Sequence, residues 1–184
     1  MSHEIWEYGA ADADDEHAVA ERIDAAHADN PRLSAWLEEQ RDAFPEWSRR
    51  HGGGWDFGEG SLDRVEALVR EQVASPEDLL AREGTPLVQV ACWYVGEVHN
   101  RTRGTGWRMD PEPAVGHPWS RRPYVIVPFE RLDAFPDPEG IDFDARPQHR
   151  PLSSLLGLLR ADPATAPGAL RAELDDYEPG GAGA

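Results

Sequence analysis

The sequence predicts a mainly helical α+β single domain, and three observations carry that reading. Apolar residues recur at three- and four-residue spacing through positions 14–81, with Asn-Pro and Ser-Pro start signals ahead of two of the runs. Leu87 to Val98 is apolar almost all round, as a helix is when it is buried on every side. After Gly104 the texture changes: 12 of the 16 prolines lie at or beyond Pro111, and only short strand-like runs remain. The expected architecture is a buried central helix at about 86–103, under N-terminal helices and a small C-terminal antiparallel sheet.

Taken in order, Asp14 to about Asp29 reads as an acidic helix with Val19, Ile23 and Ala26 on one stripe. Asn30-Pro31 supplies an N-cap and a first-turn proline for a second helix. Its stripe is Leu33, Trp36, Leu37 and Gln40, and Phe44-Pro45 is its expected end. A loop follows to Gly60, in which Gly52-Gly53-Gly54 reads as a flexible turn. Ser61 is the expected cap of a third helix, with Leu62, Val65, Leu68 and Val69 on one face. Ser75-Pro76 opens a short helix with Leu79 and Leu80 facing inward. Thr85-Pro86 starts the central helix and Gly104 stops it. Residues 105–109 and 124–127 are strand candidates, the second bracketed by Pro123 and Pro128 and so expected at a sheet edge. Residues 151–160 form a last helix with Leu152, Leu155, Leu156 and Leu159 inward. The domain is expected to close near residue 160, leaving 161–184 as a partly disordered tail rich in Ala, Pro and Gly.

A chain of 184 residues and 20.4 kDa suits one domain. It has 35 acidic residues against 18 basic ones, a net charge of −17, and every basic residue is Arg. Lysine Schiff-base and lysine-dependent phosphate chemistry are therefore excluded. The acidic excess disfavours broad binding to nucleic acid or anionic membrane. It is unevenly spread. Residues 1–60 carry a net −10, residues 61–134 a net −2 and residues 135–184 a net −5. The single Cys92 excludes an internal disulfide. With no apparent leader and no apolar run of spanning length, a cytoplasmic protein is the expectation.

The most specific segment is 94–107. On a helix Gln89, Trp93, Glu97 and Arg101, each four residues apart, line one side. Gly96 beside them costs about 1 kcal/mol relative to Ala, which suggests close approach of another group. Glu97 is read first as a carboxylate held by Arg101, Arg103 or Arg108. The competing reading is a pocket bordered by Glu97, Arg101 and Trp107, with Glu97 as acceptor or base and Arg101 holding an anion. The candidate site or structural cluster is thus Trp93, Glu97, Arg101, Trp107 and Arg108.

Tyr94-Val95-Gly96-Glu97-Val98, then Arg101 and Gly106-Trp107, preceded by Ser61-Leu62-Asp63-Arg64, resemble a group of bacterial domains of unknown function common in actinobacteria. The resemblance covers roughly residues 60–130, so the core is 61–134 and the acidic helical segment before it, residues 1–60, lies outside. It implies a small α+β domain without established catalytic residues, and some such relatives resemble toxin-neutralising partners.

The remaining constellations carry little chemistry. The seven His residues lack metal-binding spacing and no metal or cofactor is expected. Asp137, Glu139, Asp142 and Asp144 lack the order of a calcium loop. His51-Gly52-Gly53-Gly54 lacks the nucleophile elbow an esterase needs. Arg101, Arg103, Arg108, Arg121 and Arg122 with Trp107 and Trp119 could form a nucleic-acid patch, but are expected to neutralise the chain's own carboxylates. The leading function is a non-enzymatic acidic interaction protein for a basic protein partner, of immunity or regulatory type. The alternative is a small-ligand binder or hydrolase using Glu97 and Arg101.

Overall fold

The computed structural model describes residues 11–136, 144–162 and 168–177, with side chains from Asp15 onward. Within it, helices α1 (Ala11–Ala28), α2 (Pro31–Arg50), α3 (Ser61–Gln72), α4 (Pro76–Ala81) and α5 (Pro86–Arg103) precede strand β1 (Gly106–Arg108). Strand β2 (Tyr124–Ile126), strand β3 (Gln148–His149), helix α6 (Pro151–Arg160) and the short helix α7 (Ala169–Ala172) follow, with a 3-10 turn at Glu173–Tyr177. The three strands form one antiparallel sheet in the order β1-β2-β3, with Trp107 opposite Val125 and Val125 opposite His149. The fold is thus mainly helical α+β, as expected. No helix among the described residues is long and apolar enough to cross a membrane.

Helix α5 is the centre of the core. Val88, Val90, Ala91, Trp93, Tyr94, Val95, Gly96, Val98 and His99 on it are all buried. Gly104 ends it with φ 67°, a left-handed stop that glycine reaches without a Cβ penalty. Helix α2 packs along one side of α5, α3 and α6 along others, and the sheet closes its C-terminal end. An aromatic cluster fills the α2–α5 interface, with Tyr94 at its middle, 4.6 Å from Phe57 and 5.2 Å from Trp55 between ring centroids. The Tyr94 hydroxyl accepts from the Phe57 amide at 2.9 Å and donates to Ser61 Oγ at 2.8 Å. Phe57 itself has φ 59°, costly for a bulky residue, and its ring contacts within this cluster hold it there.

Several local expectations are corrected. Helix α2 runs through Pro45 to Arg50, because the turn beyond Pro45 is held by the buried Trp47 against Phe44 and Trp55. Ser61 does not cap α3; Gly60 occupies that position, and the Ser61 hydroxyl donates to the Gly58 carbonyl. Leu79 is buried but Leu80 is exposed. Strand β2 is the middle strand of the sheet, since Pro123 and Pro128 lie outside the paired residues and remove no ladder donor. The glycine turn has positive φ at Gly52, Gly53 and Gly54, and Arg64 pins it by donating to the Gly53 and Gly54 carbonyls at 2.7 Å. The core does not close at residue 160. Leu170, Leu174 and Tyr177 are buried, because the segment 168–177 folds back onto α3, α5 and α6. Asp137, Glu139 and Asp142, and the rest of the expected tail, lie outside the described residues.

Helix α1 reaches the sheet through charge. Asp24 receives Arg108 from β1 at 2.7 Å and Arg146 from the segment leading into β3 at 3.0 Å, and all three side chains are largely buried. Burial raises the Asp24 carboxyl pKa, but the Arg108 and Arg146 hydrogen bonds outweigh it and hold it below the ordinary range. Asp24→Asn is expected to lower the unfolding free energy by about 3–5 kcal/mol at neutral pH, the cost of removing one partner from a buried ion pair. Because the folded carboxyl titrates below its unfolded value, its stabilisation is full above about pH 4 and is lost as pH falls through the folded value. Denaturant titrations of the two chains should converge on acidification below about pH 4.

Candidate functional site

The side of α5 singled out by sequence is a packed seam. A Cβ built on Gly96 would overlap the Trp107 ring, so the indole lies directly on bare helix backbone. Trp36 of α2 meets the same indole edge-on at 5.1 Å. Glu97 Oε1 accepts from Trp107 Nε1 at 2.9 Å and Glu97 Oε2 receives Arg101 at 3.3 Å. Oriented to satisfy both its ends, the Asn100 amide accepts from the same indole at 3.0 Å and donates to the Thr105 carbonyl. The Glu97 side chain is 20% exposed and Arg101 49% exposed, the latter lying 3.6 Å over the Phe57 ring. Trp93 packs against Phe44 and Phe57, with its Nε1 buried and unpartnered.

Four of the five named residues therefore share one seam, and Arg108 does not belong to it. Its guanidinium turns to Asp24 on α1. Of the surrounding basic residues, Arg103 is spent on Glu59 at 2.6 Å and Arg122 on Glu83 at 2.6 Å, whereas Arg121 is exposed and has no carboxylate partner among the described residues. Among the described residues, surface clefts of about 450, 290 and 510 Å³ are lined by other residues, and neither Glu97 nor Arg101 borders these. Both Glu97 oxygens are occupied by protein donors, which is the arrangement of a structural carboxylate.

Helix α1 presents a second feature. It faces the sheet with Asp24 and His27, whose Nδ1 lies 3.0 Å from the Tyr124 hydroxyl, and its His17 meets the ring of Phe129, beyond β2, at 5.1 Å. Val19, Ile23 and Ala26 point away. Val19 is 44% exposed and Ile23 52% exposed, one turn apart. The stripe that periodicity marks as the packing face is therefore on the outside. Glu16 borders it on one edge and Asp15 and Arg22 on the other, and neither acid has an ion-pair partner among the described residues.

A third cluster has no counterpart in the sequence reading. His99 of α5, His149 of β3 and Glu173 of the C-terminal turn each place one ligand-type atom within 4.8 Å of the other two. The imidazoles stack at 3.9 Å and 19°. His99 Nδ1 lies 3.2 Å from the Tyr177 hydroxyl, His149 Nε2 3.2 Å from Ser154 Oγ, and His149 Nδ1 3.3 Å from Glu173 Oε2. His99 Nε2 and Glu173 Oε2 are buried without a hydrogen-bond partner. Burial, then the neighbouring His149, pushes the His99 pKa down to about 2; burial takes His149 down to about 4 and Glu173 up to about 7. The three residues are 50 and 24 positions apart in the chain, too far for any short motif to join them.

No family model matches the chain, and no curated protein or solved structure matches it either.

Gly96→Ala is expected to lower stability by about 1 kcal/mol or more in thermal unfolding, because overpacking against Trp107, about 1–3 kcal/mol, exceeds the gain in helix propensity. Glu97→Gln should lower it by about 1 kcal/mol, through loss of the charge-assisted bonds to Trp107 and Arg101.

Proposed function

We propose that the protein is a non-enzymatic interaction protein whose first helix docks a basic protein partner. The outward stripe of Val19 and Ile23 carries this reading. A helix that turns its apolar stripe to water leaves two side chains about half uncovered, where full burial is worth about 1.5–3 kcal/mol each. A partner that covers them recovers a share of that.

Charge selects the partner. A second copy of the chain, itself at a net −17, would be repelled, whereas a basic protein is steered toward this surface. Asp15 and Glu16 beside the stripe, and the exposed Glu38, Glu39 and Asp42 of α2, have no ion-pair partner among the described residues and are free to meet one. The same charge disfavours nucleic acid and anionic membrane. A toxin-neutralising role, as some relatives in the group that residues 60–130 resemble suggest, is one form such a partnership takes.

Ile23→Asp should leave thermal stability within about 0.5 kcal/mol, as surface substitutions do, and abolish docking. Affinity capture from the producing cells with wild-type and Ile23→Asp baits tests this. A basic protein retained by the first bait, lost from the second, and bound by the purified wild-type chain at about 0.15 M salt supports the reading. Equal capture by both baits, or capture of acidic proteins only, overturns it.

A further inference from the structure

We propose that His99, His149 and Glu173 form a binding site for one divalent transition-metal ion of the zinc class, which ties the C-terminal segment 168–177 to the core. This is independent of the docking helix and does not rest on it.

The donor set is two imidazoles and one carboxylate, the combination that borderline divalent ions such as Zn²⁺ accept and that harder ions such as Mg²⁺ do not favour. The residues come from three separate elements, α5, β3 and the Glu173–Tyr177 turn, so an ion would cross-link segments that are distant in sequence. The interior around them is left incomplete by the protein's own atoms. His99 is fully buried, and its Nε2 has no partner although a buried ring nitrogen normally finds one. Glu173 Oε2 is also buried, and lies 3.3 Å from His149 Nδ1 without a hydrogen bond between them. A cation gives His99 Nε2 the partner that it lacks and Glu173 a charge to pair with. His99 Nδ1 already faces the Tyr177 hydroxyl, the outer contact that orients a ligating imidazole.

Ligation needs the cluster to tighten and one ring to turn. Ligand atoms around tetrahedral zinc sit about 2.0–2.2 Å from the metal and so roughly 3.4 Å apart, against a spread of up to 4.8 Å here. Lone pairs lie in the ring planes, so two nearly parallel stacked rings cannot both aim at one ion. Turning His149 about its Cβ–Cγ bond, with loss of the Ser154 contact, opens the stack. Access comes from the Glu173 side. That side chain is 33% exposed, whereas those of the two histidines are enclosed, so an ion enters past the carboxylate and a water completes the fourth position there.

The test uses the full chain, stripped of metal with chelator and titrated with Zn²⁺ by calorimetry, with Co²⁺ as the spectroscopic probe. One equivalent should bind in the micromolar range or tighter, and Co²⁺ should give the intense visible bands of a four-coordinate site. Glu173→Gln, at a partly exposed position, should weaken binding at least ~10-fold, the loss a disturbed metal shell brings, while Glu112→Gln on the exposed loop should not change it. Histidine ring ¹H–¹⁵N spectra of the wild-type chain provide a readout independent of any variant: among the seven histidines, His99 and His149 should shift together on adding Zn²⁺. No binding at millimolar Zn²⁺ overturns the proposal. So does weak, multiple binding that Glu173→Gln leaves unchanged, or a set of shifted histidines that excludes His99 and His149.

Discussion

The indole of Trp107 lies on the bare backbone of Gly96, and this one close approach determines how the sheet meets the central helix. Any side chain at position 96 would hold β1 away from α5. With β1 seated, Trp36 closes over the indole from α2, Glu97 and Asn100 take its N–H, and Val125 is brought opposite Trp107 in the sheet. A glycine in the middle of a helix costs backbone entropy. Here that cost is offset by burial of a tryptophan at the junction of three elements.

Carboxylates serve two distinct purposes in this molecule. Asp24, Glu59, Glu83 and Glu97 are tied to Arg residues from other regions of the chain or from the next helical turn, whereas the acids along the outer faces of α1 and α2 give the surface its negative charge. Of the tied group, Asp24 matters most to the architecture, because its two arginines fasten α1 to β1 and to the segment entering β3. That attachment also explains the orientation of α1. The helix is rotated so that its acid reaches the buried guanidinium groups, and its apolar stripe is consequently left in solvent. Leaving Asp24 unpaired beside Arg108 and Arg146 would cost about 3–5 kcal/mol, whereas Val19 and Ile23, each about half exposed, forfeit only about half of the roughly 1.5–3 kcal/mol that full burial of each is worth.

Much of the helical framework was legible because it rests on local rules. Asn30 accepts from the Leu33 amide, Ser75 accepts from the Asp78 amide, and Gly104 takes the left-handed stop, each as the start and stop signals imply. The all-round apolar run at 87–98 reads directly as burial. Where the local rules misled, a tertiary contact had overridden them. Pro45 fails to end α2 because Trp47 is anchored beyond it, and the segment 168–177, polar and rich in small residues, is ordered by burying Leu170, Leu174 and Tyr177. The α5 seam was also legible: i, i+4 spacing placed Gln89, Trp93, Glu97 and Arg101 on one side, and Gly96 signalled a close neighbour. Arg108 was misassigned because its sequence neighbours are in the seam while its strand direction points it at α1.

By itself, the sequence determined the fold class, the central position of α5, the lack of lysine chemistry and the concentration of negative charge in residues 1–60, since each follows from composition or from periodicity within one element. The tertiary structure alone decided which face of α1 meets water and which histidines meet one another. Facing is set by long-range pairing, as between Asp24 and Arg146, and the assembly of His99, His149 and Glu173 depends on three chain segments converging. Neither leaves a trace at short sequence separation, because the energies that fix them arise only once distant residues are packed together.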